Sequence, residues 1–291
     1  MLTEEKQAKV QALAKRLKLP LVAEFNRHIS KDADFSDNLH RLLEMEVLEK
    51  ERRSMERRTK TAGFPVIRVL DTFEFDARRL PKLNRDQVWE LADCRYITEK
   101  RNVIAIGTGK SHVAVALGLE AIRRGFTVRF KRASDLVNQM SEAHNERQLS
   151  RYMKTVNNCH LLILDELGYL NFDLQGASLL FQVFAARYEI SSTIITTNLE
   201  FSKWTAFLGN DQAMSVALVD RLIHRAEILN MNGKSYRLKD ARGALGPYPA
   251  RSTGGMIYGT RVHTFAPDQK LKGVAPDALY LLPGVRWVDQ D

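Results

Sequence analysis

The segment NVIAIGTGKSH, residues 102–112, joins an apolar run at 103–106 to Gly107, Thr108, Gly109, Lys110 and Ser111, and a helix-forming stretch follows. A polyphosphate with magnesium needs free backbone N–H groups at a helix start, a lysine for its outer phosphates and a hydroxyl for the metal. Gly109, Lys110 and Ser111 supply the end of that device. The phosphate-loop pattern G-x-x-x-x-G-K-[ST] also asks for a glycine five residues before Gly109, and Ile104 stands there. The loop is therefore short of its pattern.

Three further stretches carry chemistry. In LLILDELGYL, four apolar residues end in Asp165 and Glu166. A carboxylate pair at the end of a buried strand is costly unless a cation or donors meet it. Beside a phosphate loop, Asp165 suits magnesium and Glu166 suits a water aimed at the γ-phosphate. In STIITTNLEF, the amide of Asn198 at a strand end could orient that water, although a turn-forming asparagine is the plainer reading. In ALVDRLIHRAE, Arg221 and Arg225 lie four apart on a helix, where an arginine could reach a neighbouring subunit's nucleotide.

The elements that must position these residues follow from hydrophobic rhythm. Runs at 103–106, 127–130, 161–164 and 193–196 read as buried parallel strands, and 112–124, 133–156 and 175–188 read as helices between them. That βαβα order predicts an α/β sheet covered on both faces, with ligands at the carboxyl ends of its strands. Before it, Leu2, Val10, Leu13, Ala14 and Leu17 recur at helical spacing until Pro20. A longer helix follows, capped by Asp34 or Ser36, with Leu39, Leu42, Leu43 and Val47 as its apolar face, and it stops at Gly63. Its distal half, EKERRSMERRTK, sets Lys50, Arg53, Arg57 and Lys60 three or four apart on one face, with Glu51 and Glu56 placed to pair locally. Such a face is either simply solvated or turned to phosphates. Residues 241–291 hold seven glycines and five of the eight prolines, the texture of a tail without its own core, although GMIYGTRVHTF could form a hairpin.

Composition narrows the partners. The 291 residues carry 44 Lys and Arg against 35 Asp and Glu, a net charge of +9, which favours polyanions. Cys94 and Cys159 are the only cysteines and form no C-x-x-C or Cys/His cluster, which fits a reducing cytoplasmic setting. No apolar run reads as a signal peptide or a membrane span, so a cytoplasmic protein without a membrane partner is expected.

In this order the motifs resemble those of AAA+ ATPases. More narrowly, the chain resembles the IstB-like transposition helper ATPases, relatives of DnaC-type helicase loaders. The resemblance extends to about Asp240 and rests on TGKSHVAVALGLEAIRRG, LLILDELGYL, GASLLFQVFAARYE, STIITTNLEFSKW, DRLIHRAEIL and GKSYRLK. It implies an AAA+ P-loop fold, a three-layer parallel sheet, over 80–240, with a helical DNA- or partner-binding appendage at 1–79 and an irregular tail at 241–291. It also implies ATP and Mg2+ as cofactors, low-specificity DNA binding, self-oligomerisation and cooperation with a transposase. By motif position, Gly107, Thr108, Gly109, Lys110, Ser111 and His112 would contact nucleotide, and Ser111 and Asp165 the metal. Glu166, Asn198 and Arg221 would be catalytic, and Lys50, Arg53, Arg57 and Lys60 would face DNA. The family loop reads G-x-P-G-T-G-K-[ST]-H, so three residues are absent between its first glycine and Thr108. Unwinding of the strand end could lend the amides of Ala105 and Ile106, at the expense of sheet pairing. A replicative helicase loader and an ATP-independent DNA adaptor are the competing readings.

Overall fold

The computed structural model describes residues 4–30 and 32–233. The Gly/Pro-rich tail, its hairpin reading and the part of GKSYRLK beyond Gly233 lie outside the described residues.

Five strands, β1 (Asn102–Gly107), β2 (Val128–Arg132), β3 (Leu161–Leu167), β4 (Ser192–Thr197) and β5 (Ala226–Met231), form one sheet in the order β2-β3-β4-β1-β5. Every pairing is parallel. Alternate residues leave the two faces, as period-2 geometry requires. Val103, Ala105, Leu161, Ile163 and Ile194 enter one apolar cluster, and Ile104, Leu162, Leu164 and Ile195 enter the other. Helices α4 (Arg85–Ala92), α5 (Arg95–Thr98) and α6 (Lys110–Arg123) cover the first face. The second is covered by α7 (Ala133–Asn145), α8 (Leu149–Asn157), α9 (Leu174–Arg187), α10 (Trp204–Phe207) and α11 (Gln212–Ile223). This is the three-layer parallel α/β architecture that the motif order implied.

Three differences from the sequence reading have local causes. The helix expected over 133–156 is two helices, broken where Arg147 takes a left-handed φ of 59°; no glycine or proline marks the spot. The helix expected over 217–227 stops at Ile223, so Arg225 lies beyond it and residues 226–231 form β5, a strand whose burial is patchy, with only Leu229 and Met231 fully inside. Helix α4 was also missed; Asn84 caps it by accepting from the amides of Asp86 and Gln87.

The N-terminal helices are α1 (Glu4–Arg16), α2 (Pro20–Ala23), with Pro20 in its first turn, and α3 (Phe35–Ala62). Asp34, not Ser36, caps α3 by accepting the Asp37 amide at 2.8 Å, and Gly63 ends it in the left-handed conformation. Buried Glu46 of α3 accepts the amides of Leu21 and Val22, tying α2 to α3. Of the apolar face read on α3 only Leu42 is buried, while Leu39, Leu43 and Val47 stay exposed. The far end of α3 belongs to the main body: Ala62, Leu70 and Phe73 share the cluster that holds α6 and β1.

Candidate nucleotide site

The carboxyl ends of β1, β4 and β3 lie side by side, and the chemistry-bearing residues of the motifs gather there. Because β1 pairs with β4, Lys110 at the start of α6 meets Asn198 just beyond β4, and its Nζ donates to Asn198 Oδ1 at 2.8 Å. Ser111 Oγ donates to Asp165 Oδ1 at 2.7 Å. Thr196 Oγ1 donates to the same carboxylate oxygen at 2.5 Å and accepts the Glu166 amide at 3.0 Å. Asp165 is thus a buried carboxylate held by two hydroxyls, while the neighbouring Glu166 side chain is exposed.

That contrast has a backbone cause. The β3–β4 register shifts between Leu164 and Leu167, and Glu166 sits in this irregularity with φ 61°, a conformation disfavoured for a residue with a Cβ. The kink turns Asp165 inward and Glu166 outward, so one carboxylate can serve a metal and the other remains open to water. A hydroxyl and one carboxylate suit magnesium, which usually keeps waters and takes its other ligands from substrate phosphates. The metal half of the site fits.

The phosphate half is reduced. Strand β1 keeps its pairing to the end: Ala105 pairs with Thr196 and Leu229, and Ile106 with Thr197 and Asn230. The strand end therefore does not unwind to lend amides. Thr108 donates its N–H to Met231 O at 2.9 Å, so that amide is spent on β5. Gly107 has φ 114°, and a Cβ there would lie 2.4 Å from the Met231 carbonyl carbon. What is left is Gly109, the N-cap of α6 at φ 79°, which offers no side-chain acceptor to the amides of the first turn.

His112 faces another way. Its Nε2 lies 3.1 Å from Val69 O and 3.4 Å from Thr72 Oγ1, and its ring stands edge-on to Phe73. Phe73 in turn covers Gly109, whose Cβ position lies 2.9 Å from Phe73 Cε2. The segment around Val69–Phe73 is thereby strapped to the loop. Arg221 is away from this cluster within the chain; its guanidinium donates to Ala217 O at 2.9 Å and lies 5.1 Å from the Phe181 ring centre.

Lys50, Arg53, Arg57 and Lys60 are all exposed along α3. Glu56 pairs locally with Arg52 as expected, whereas Glu51 makes no ion pair among the described residues and Glu49 binds Arg52 and Arg53. Thr196, the bridge between Asp165 and Glu166, was not singled out from sequence. Its one signal was a hydroxyl two residues before Asn198 at the end of an apolar strand.

Comparison with known proteins follows the same lines. The protein family described as IstB-like ATP binding protein matches residues 5–244. The chain is 38% identical over 235 residues to the insertion sequence IS5376 putative ATP-binding protein of Geobacillus stearothermophilus, covering 78% of this chain and 92% of that one. It is 36% identical over 217 residues to the IS21 putative ATP-binding protein of Pseudomonas aeruginosa, covering 74% and 81%. Among solved structures, the DnaC helicase loader aligns over 57% of this chain and 96% of its own, with 22% identity and a TM-score of 0.47. AMPPCP-bound DnaA from Aquifex aeolicus aligns over 63% and 56%, with 19% identity and a TM-score of 0.48.

Proposed function

Because the chain belongs to the IstB-like ATP-binding protein family of insertion sequences, we propose that it is a DNA-binding helper of transposition. In this reading it assembles on target DNA as an oligomer and cooperates with a transposase, and its shortened loop weakens ATP binding. The observation that carries the reading is the pair of contacts Lys110–Asn198 and Ser111–Asp165 at three adjacent strand ends. The helical region 1–79 serves as the DNA- or partner-contacting part, through the exposed cations Lys50, Arg53, Arg57 and Lys60.

The roles follow from geometry. Lys110 would contact the outer phosphates, and Ser111 with Asp165 would hold magnesium. When bound, that ion offsets phosphate charge. Exposed Glu166 is placed to polarise a water and Asn198 to orient it, while Thr196 keeps the two strand ends in register. Arg221, on a helix outside this cluster, is the residue offered to a neighbouring copy's nucleotide. The weakening follows from hydrogen-bond accounting. Each charge-assisted amide contact to phosphate is worth roughly 1.5–3 kcal/mol, so two lost contacts cost about 3–6 kcal/mol, or about a hundredfold to ten-thousandfold in affinity.

The test is a titration of Mg-ATP against this chain and against a variant with Asn-Pro-Gly inserted between Gly107 and Thr108. The expected result is binding at least about a hundredfold tighter in the variant. Equal affinity would remove the claim of impairment. Failure of both to bind, with DNA binding indifferent to ATP, would favour the ATP-independent adaptor, the reading to which the spent Thr108 amide lends most weight.

A further inference from the structure

Strand β2 is an edge of the sheet, and one side of it borders a cavity of about 390 Å³ lined by Gly63, Arg129, Lys131, Arg132, Asp135 and Gln139, among others. Three cations and one carboxylate thus line a single cleft. Lys131 Nζ is held 2.9 Å from Gln139 Oε1, which also accepts from Tyr152 OH at 2.6 Å, so this ammonium is positioned by neutral partners. Among the described residues neither Arg129 nor Arg132 makes an ion pair, and Arg132 is exposed. Charged side chains on an edge strand commonly serve only to prevent strand addition. Two observations go beyond that role: the cations share a concave site, and the site adjoins the basic helix. Thr61, Ala62 and Gly63 also line the cleft, and Lys60 directly precedes them on α3.

We propose that the β2 cleft is a second phosphate-contacting site for DNA, continuing the track of Lys50, Arg53, Arg57 and Lys60 around the end of α3 onto Arg129, Lys131 and Arg132. The proposal rests on the DNA-binding reading above. The helix stripe spans about 15 Å at the α-helical rise, and the cleft adds to its length. Cations in a concavity meet the backbone without reading bases, so the added site contributes affinity and salt dependence rather than sequence preference.

The experiment measures duplex affinity against salt concentration for three full-length chains: the natural one, R129Q/K131Q/R132Q, and K50Q/R53Q/R57Q/K60Q. Each phosphate contact contributes about 0.9 to the slope of log affinity on log salt. The expected result is a slope shallower by about two to three for the cleft variant, with an independent decrease for the helix variant. The single exposed change Arg132→Gln, expected to remove about one unit, checks the result without a triple substitution near Gln139. If the helix variant loses slope while both cleft variants match the natural chain, the cleft is a protected edge only and the proposal is overturned, with DNA binding intact. If the natural chain binds no duplex at any salt, the DNA-binding reading itself fails and the proposal falls with it.

Discussion

Glu49 shows how one side chain can set the charge that a helix presents. Hydrogen bonds from Arg52 and then Arg53 hold its carboxyl down at about 2. A lowered carboxylate contributes fully above its ordinary value of 4.5 and loses that contribution as pH falls toward 2, so both arginines remain occupied near neutrality. Glu49 thus partly neutralises Arg53, one of the four cations proposed above to contact DNA, while Lys50, Arg57 and Lys60 make no ion pair among the described residues. Glu49→Gln should release Arg53, tighten duplex binding and steepen its salt slope by up to about one unit. An unchanged slope, with helicity preserved by circular dichroism, would place Arg53 outside the interface. The residue types on this face were legible from spacing. The partner of Arg53 was not, because Glu49 at i−4 and Glu56 at i+3 are both within reach of its guanidinium and rotamer packing decides between them.

At the scale of elements, the junction of β1 with β5 governs the phosphate loop. Gly107 is needed where it stands: its φ of 114° and the backbone of Met231, 2.4 Å from any added Cβ, leave no room for a side chain. Gly107→Ala should cost at least about 3 kcal/mol and lower the melting midpoint by several degrees. Gly125 is the control. It also has positive φ, at 91°, but its Cβ position meets only the tip of Arg58 at 3.6 Å, so Gly125→Ala should cost only about 1 kcal/mol of backbone strain. Thermal melts of the two variants that agree would show that the Met231 contact contributes nothing. An insertion after Gly107 falls outside Asn102–Gly107, the β1 residues paired with β5, so the lengthened loop is a fair comparison. Buried Arg187 joins elements in a similar way, donating from the end of α9 to Ser192 O at 2.6 Å and Thr193 Oγ1 at 3.1 Å at the start of β4.

For the whole molecule, the decisive quantity is the net charge of +9. Its candidate DNA contacts are lysines and arginines on an exposed helix and in an edge cleft, positions suited to phosphates rather than to base edges. Two unrelated duplexes of equal length should therefore bind within about threefold of each other at fixed salt. A preference of about a thousandfold or more, the range of specific readers, would contradict this. No helix among the described residues is long and apolar enough to cross a membrane.

The motifs, their order and the layered parallel character of the sheet were legible in the sequence alone, because β1 to β4 and the acidic pair are each written in a contiguous apolar run and its polar end. Tertiary structure decided what those motifs touch. The order β2-β3-β4-β1-β5 brings Lys110 to Asn198 and Ser111 to Asp165, residues separated by 88 and 54 positions. It also commits the Thr108 amide to Met231, at the end of a strand whose pattern gave little sign of itself. The hydrogen-bond partner of a strand end depends on which strand lies beside it and in what register, and no local spacing encodes that choice.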